Sequence, residues 1–183
     1  MATRTKKSAR RSAGNRQHRA SSVASVNCAV ITVSDTRTPE TDTSGRYIHD
    51  ALLRDGHQIL AYEIIQDEPA LISERLRGLI DDPTCMAVLL NGGTGLAPRD
   101  TTYEAVVTTL DKTLDGFGEL FRGLSYDDVG SSAMLSRAVA GVAGRTVIFA
   151  MPGSTRAVQL AMDKLILPEL GHIVALVQGA GAV

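Results

Sequence analysis

Glycines, hydroxyls and carboxylates recur in three short clusters of this 183-residue sequence, each directly behind an apolar run. Ser34-Asp35 and then Asp42-Thr43-Ser44-Gly45 follow the run Val26–Val33. Asn91-Gly92-Gly93-Thr94-Gly95, with Arg99-Asp100 shortly after, follows Cys85–Leu90. Pro152-Gly153-Ser154 follows Thr146–Ala150. Gly92, Gly93, Thr94 and Gly95 offer bare backbone amides and a hydroxyl just ahead of a helix start, a combination that attracts anions. The same glycines also suit a tight strand-to-helix turn with no ligand. The sequence lacks GxxxxGK[ST], which excludes a Walker-type phosphate loop, and lacks GxGxxG behind the first strand, which disfavours a dinucleotide fold.

Carboxylates beside a phosphate site repel it unless a cation intervenes. Asp42 and Asp100 are therefore candidate ligands for Mg²⁺ in phosphoryl or nucleotidyl transfer, where the ion neutralises developing charge. Each has a structural alternative: Asp100 as a helix N-cap, and Asp42 as a turn or cap before the helix at Ser44. Asp35 either meets ligand or orients loop backbone. Ser154 caps the helix behind it and either presents that helix's amides to a second anion or serves as a cap alone. Ser136-Arg137 either brings a cation to the same region or lies on the surface. The candidate set is thus Asp42 and Asp100 for catalysis and metal binding. Ser34, Asp35, Ser44, Gly92, Gly93, Thr94, Gly95, Ser136, Arg137, Pro152, Gly153 and Ser154 are the candidates for substrate and nucleotide binding. His49 and His57 read as incidental, and the four histidines show no zinc spacing.

These clusters need elements to bring them together. Val26–Val33, His57–Ile65, Cys85–Leu90 and Thr146–Ala150 read as four strands, three of them dominated by apolar residues and hence buried on both faces. Helical spacing appears over Ser44–Asp55, with Gly56 as its stop, and over Pro69–Ile80. It recurs over Thr101–Thr109, with Asp100 or Thr101 as N-cap, and over residues 116–138 in two pieces broken near Gly130. Thr155–Leu165 and Pro168–Val177 close the chain as two further helices. Strands alternating with helices imply βαβ units and a mostly parallel sheet flanked by helices, an α/β fold in one domain over residues 26–183. In such sheets ligands bind outside the carboxyl ends of the strands, where the three clusters fall. The apolar positions around Phe117 and Phe121 suit either a buried interface or the core.

Charge divides the chain. Residues 1–25 carry seven basic residues (Arg4, Lys6, Lys7, Arg10, Arg11, Arg16, Arg19) and no acidic one, leaving the remainder with a net charge near −8. This segment has no Leu, Ile, Phe, Tyr or Trp, so it reads as a disordered basic tail. A solvated extension, an arm for nucleic acid or an acidic partner, and a transit peptide are its three readings, with nucleic acid disfavoured. No run approaches the roughly 20 apolar residues of a membrane helix. Cys28 and Cys85 sit in apolar runs and read as core residues, which suits a cytoplasmic protein.

At these motifs the sequence resembles the family of molybdenum-cofactor biosynthesis protein B and the molybdopterin adenylyltransferases. The resemblance is carried by Thr32-Val33-Ser34-Asp35-Thr36-Arg37, Asp42-Thr43-Ser44-Gly45, Asn91-Gly92-Gly93-Thr94-Gly95 and Pro98-Arg99-Asp100. Gly116-Phe117-Gly118-Glu119-Leu120-Phe121-Arg122, Met134-Leu135-Ser136-Arg137, Pro152-Gly153-Ser154 and Lys164 to His172 extend it over about residues 26–178. The resemblance implies a three-layer αβα sandwich, molybdopterin binding and assembly as a homotrimer or homohexamer. In the adenylyltransferase branch it implies transfer of AMP from ATP to molybdopterin with Mg²⁺ and release of pyrophosphate. There the aspartates matching Asp42 and Asp100 are required, and the segments matching Gly92–Gly95 and Pro152–Ser154 line the pocket. The turn Pro-Gly-Ser-Thr departs from the family's frequent second proline at Thr155. Two functional readings follow: an adenylyltransferase, or a molybdopterin- or nucleotide-binding carrier or assembly protein without turnover. A third, a scaffold or nucleic-acid binder driven by the basic tail, stands apart from the resemblance.

Overall fold

A computed structural model describes residues 22–179; most of the basic tail lies outside the described residues. The four apolar runs become the strands β1 (Asn27–Val33), β2 (Gln58–Ile65), β3 (Ala87–Asn91) and β6 (Thr146–Met151), mutually parallel in the order β2-β1-β3-β6. Two further strands, β4 (Lys112–Thr113) and β5 (Val139–Ala143), extend the sheet antiparallel beyond β6. The sequence reading assigned neither. β4 has two residues, and β5 is built from small side chains that give little strand signal. A hairpin turning at Gly144, whose φ is +57°, joins β5 to β6.

Among the described residues six helices cover the sheet: α1 (Thr43–Arg54), α2 (Pro69–Asp81), α3 (Thr102–Val107), α4 (Asp115–Val129), α5 (Thr155–Ala161) and α6 (Leu167–Val177). Alternation along each strand sorts the core into two halves. Cys28, Val30, Leu89 and Phe149 pack with α1, α4, α5 and α6, whereas Ala29, Ile31, Val33, Leu90 and Ile148 pack with α2 and α3. The result is the three-layer αβα sandwich that the alternating runs and the resemblance led us to expect. Cys28 and Cys85 are free and buried, and burial pushes both thiols up, Cys85 to about 11.

Several boundaries shift for local reasons. α3 ends at Val107 rather than Thr109, where the Thr108 and Thr109 hydroxyls donate to carbonyls of Glu104 and Ala105 at 2.9 and 2.8 Å and compete with the helix ladder. The second half of the 116–138 stretch is a 3₁₀ turn, Gly130–Leu135, behind a break at Gly130. The two terminal helices are joined by one π turn, Met162–Ile166. Pro168 lacks an N–H and crowds the preceding turn, and the wider turn accommodates it. His57, read as incidental, is buried with Nδ1 accepting the Val26 amide at 3.2 Å, so it anchors the entry to β1; burial holds its pKa below the ordinary value. Phe117 and Phe121 are core residues, Phe117 lying edge-on to Phe149 at 5.3 Å.

Phe149 faces the larger core half from a central strand. Phe149→Ala should cost about 3–5 kcal/mol of unfolding free energy, through lost transfer energy and the cavity left behind, read as a lower urea midpoint at unchanged slope.

Candidate functional site

The chain leaves β1 toward β2 on one side and leaves β3 toward the opposite edge on the other, so the sheet has its switch point between β1 and β3. Thr32, Asn91 and Met151 are level across β1, β3 and β6, and the three polar clusters emerge together from this edge. Thr32 and Asn91 are fully buried polar side chains on otherwise apolar strands, and they begin a closed hydrogen-bonded circuit. The Asn91 amide donates to Thr32 Oγ1 at 2.8 Å, and Thr32 donates to Asp42 Oδ2 at 2.6 Å. Tyr62 donates to the same oxygen at 2.8 Å, and the Gly45 amide donates to Oδ1 at 2.9 Å. Arg37 Nη1 closes the circuit, 3.1 Å from Asp42 Oδ1 and 3.3 Å from Asn91 Oδ1, while Nη2 donates to the Gly153 carbonyl at 2.6 Å.

Asp42 therefore N-caps α1 and also ties β1, β2, β3 and the loop behind β6 to one carboxylate. Burial acts to raise its pKa, but the donors Thr32, Gly45 and Tyr62 and the charge of Arg37 outweigh it and hold the carboxyl below the ordinary range. The Tyr62 phenol is pushed up by burial and by the facing carboxylate. Gly45 is required because a side chain there would overlap Asp42 and Thr32. Gly92, at φ +100°, would drive a side chain into the Val33 carbonyl.

The predicted site residues fall into four places. Gly92, Gly93, Thr94, Gly95, Asp100, Ser136, Pro152, Gly153 and Ser154 line one cavity of about 480 Å³, whose far wall is formed by Phe121, Leu135 and Leu160 among others. An Asp128–Arg156 ion pair of 3.0 Å lies on its lining. Ser34 and Asp35 line a separate cavity of about 510 Å³ with Arg37, Tyr62 and Ile65. Asp42 and Ser44 lie in the wall; Ser44 donates to the Gly153 carbonyl at 2.8 Å. Arg137 sits behind the glycine loop, off the helix, donating from Nε to the Thr94 carbonyl at 3.1 Å, from Nη2 to the Gly95 and Asp100 carbonyls, and pairing with Glu104. That hydrogen bond holds the Glu104 carboxyl below its ordinary pKa.

The cap expected of Ser154 forms, its hydroxyl accepting the Ala157 amide at 3.3 Å, and the residue also lines the cavity. Asp35 accepts the Asp67 amide at 3.2 Å and pairs with Arg99, and so organises loop backbone. The N-cap expected of Asp100 or Thr101 is Thr101, whose own side chain makes no capping bond. Asp67, from the loop behind β2, accepts the Thr101 amide and hydroxyl at 3.1 and 2.8 Å instead. Asp100 accepts the Ala97 amide at 3.2 Å and faces the cavity. Sequence reasoning missed Thr32, Asn91, Arg37 and Tyr62 as site residues, and Asp67 with them. Only the first two carried a signal, as lone polar residues at the ends of apolar runs.

A Mg²⁺ ion commonly takes one or two carboxylates and completes its shell with water and phosphate oxygens. Asp100 fits that role, being on the cavity lining with one oxygen engaged. Asp42 as placed does not, because its oxygens already accept four hydrogen bonds and it is not among the lining residues. Among the described residues no cluster of three or more His, Cys, Asp or Glu could hold a metal.

Fold and cavity together define an open α/β protein with a ligand-sized site behind the carboxyl ends of β3 and β6, next to the switch point of its sheet. Residues 29–172 match a family described as a probable molybdopterin binding domain. Molybdenum cofactor biosynthesis protein B of Bacillus cereus is 52% identical over 158 residues, which are 86% of this chain and 94% of that protein. A crystal structure of molybdenum cofactor biosynthesis protein B superposes with a TM-score of 0.82 at 52% identity, covering 85% and 97% of the two chains. A tungsten cofactor synthesizing protein of Pyrococcus furiosus does so with a TM-score of 0.77 at 33% identity, covering 85% and 99%. The chain belongs to this molybdopterin-binding family of molybdenum cofactor biosynthesis proteins. No described helix is long and apolar enough to cross a membrane.

Removing one partner of a buried ion pair costs about 3–5 kcal/mol, and the partial exposure of Arg37 places Asp42→Asn near the lower end. Because the folded Asp42 pKa is depressed, its contribution is complete above about pH 4 and is lost as pH falls through the folded value. Asp42→Asn should therefore lower the urea midpoint at pH 7 and flatten the acid limb of the stability curve. An unchanged acid limb would show that Asp42 is not held ionised.

Proposed function

We propose that the protein binds molybdopterin in the 480 Å³ cavity and adenylylates it from ATP with Mg²⁺. The observation that carries this reading is the convergence of Gly92–Gly95, Asp100 and Pro152–Ser154 on one cavity in a chain of the molybdopterin-binding family. The terminal phosphate of molybdopterin attacks the α-phosphorus of ATP. A new P–O bond forms, the bond to the β-phosphate bridging oxygen breaks, and pyrophosphate leaves. The glycine-loop amides and the α5 start at Ser154 hold phosphate oxygens, so the rate gain comes from positioning and from fixed dipoles rather than covalent participation. Bound beside Asp100, Mg²⁺ supplies neutralisation of the charge on the phosphates. Asp42 serves as the positioning carboxylate of the cavity wall, with Ser34 and Asp35 serving the neighbouring compartment.

A second reading, a molybdopterin carrier without turnover, is favoured by one feature: Asp42, expected at the metal, is committed to four hydrogen bonds outside the cavity lining. A single-turnover assay with ATP, Mg²⁺ and molybdopterin separates the two by pyrophosphate release. Asp100→Asn should fold normally yet lower the rate by at least about 10²-fold, the scale of losing one electrostatic group at the reacting centre. Wild-type protein that binds molybdopterin but releases no pyrophosphate establishes the carrier. An Asp100→Asn protein with the wild-type rate removes Asp100 from the reaction.

The proposal extends to assembly. Leu120, Tyr126 and Met134 on α4 and the 3₁₀ turn are exposed, Met134 at 78%. Covering them with further copies, as a homotrimer or homohexamer, accounts for apolar surface that a monomer would leave in water. Light scattering should return three or six times the 19.4 kDa chain mass, and Tyr126→Glu should lower it. A monomer at micromolar concentration contradicts the assembly.

A further inference from the structure

The glycine loop is held from behind in an unusual way. Three successive carbonyls turn into the protein: Gly93 accepts the Thr102 amide at 3.0 Å, and Thr94 and Gly95 both accept from the Arg137 guanidinium. A trans peptide is planar, with its N–H opposed to its C=O. Fixing those three carbonyls therefore sends the amides of Thr94, Gly95 and Leu96 to the opposite side of the loop. None of these amides meets an acceptor among the described residues. The loop lines the 480 Å³ cavity, whereas Arg137 lines a different, smaller one of about 290 Å³.

We infer that Arg137 is a positioning residue for anion binding: it anchors the loop by its carbonyls, so that the ligand's phosphate meets a preset row of amides and not the guanidinium. The phosphate class of the ligand rests on the proposed function; the positioning role does not need the transfer reaction. Two features separate this from a directly acting cation. Glu104 pairs with the guanidinium and cancels its charge. The Tyr103 ring stacks on it with the guanidinium carbon 4.8 Å from the ring centroid, leaving its fork little freedom to swing toward the cavity. The residue lies in the short connection between the 3₁₀ turn, which ends at Leu135, and β5, which begins at Val139, so both ends of its backbone segment are anchored nearby. A lysine could place a charge here but could not bridge the Thr94, Gly95 and Asp100 carbonyls at once, because only the planar fork spans them.

The test uses the full-length protein, inorganic pyrophosphate as probe, and amide resonances of the glycine loop. In wild-type protein, pyrophosphate should shift the Thr94, Gly95 and Leu96 amides. Arg137→Lys should weaken pyrophosphate binding by about tenfold or more, as expected when charged hydrogen bonds that set the loop are lost, and should abolish those shifts. Glu104→Gln, which keeps an oxygen acceptor for Arg137 but frees its charge, should bind within about twofold of wild type, since the anion is held by amide hydrogen bonds. The inference is overturned if the loop amides do not respond to pyrophosphate. It is equally overturned if Arg137→Lys binds like wild type, or if Glu104→Gln binds several-fold tighter, which would mark a guanidinium acting directly on the anion. Should Arg137→Lys fail to fold, the wild-type shifts and Glu104→Gln still decide it. Intact, Arg137-dependent pyrophosphate binding without pyrophosphate release from ATP and molybdopterin would refute the adenylyl transfer alone.

Discussion

The Asp42 carboxylate is out of reach of water, and a charge so placed persists only because donors from separate parts of the chain close on it. Those donors define what the charge does. Thr32 is the penultimate residue of β1, Tyr62 lies on β2, the Gly45 amide opens α1, and Arg37 comes from the loop between β1 and α1. Arg37 also reaches Asn91 at the end of β3 and the Gly153 carbonyl behind β6. A shift in any of these groups leaves the others with unmatched charge or unmatched donors. The edge of the sheet is therefore held as a unit, and the loops that line the cavity begin from fixed points.

This constraint works only because the sheet delivers those groups to one level. Strands buried on both faces leave little freedom of register, and the parallel pairing of β1, β3 and β6 aligns Thr32, Asn91 and Met151. Gly92 and Gly153 then let two loops touch, a side chain at Gly153 coming within 3.1 Å of Gly92. Division of labour follows: Asp42 and Arg37 hold the wall, Arg137 and Asp67 hold the glycine loop and the α3 start, and Asp100, Ser154 and the loop amides remain on the lining.

The architecture was legible where burial is two-sided. Val26–Val33 and Thr146–Ala150 read as central strands because such strands are near-continuously apolar, and the polar clusters behind them read as a common edge because ligands collect there in parallel sheets. β4 and β5 were invisible, one too short and the other too poor in large side chains to show a period. In the site, types and positions along the chain were legible but partners were not. Asp42 read as either a metal ligand or the cap of the helix at Ser44, and it forms the cap; its further engagement depends on Tyr62, twenty residues on, and on a loop geometry that no spacing encodes. Arg137 appeared on a helix, yet lies past a 3₁₀ turn, and its donors serve backbone carbonyls, which carry no signature in a sequence. Thr32 and Asn91 were the readable exceptions, since a polar residue in a wholly apolar strand needs a buried partner.

Amide hydrogen exchange in an Arg37→Met protein measures the proposed coupling of the wall to both loops most directly. The account expects faster exchange in peptides spanning residues 91–96 and 151–155 together, with the centres of β1 and β3 as protected as in wild type. Unchanged exchange in those two loops, in a protein that has lost the guanidinium linking them, would contradict it.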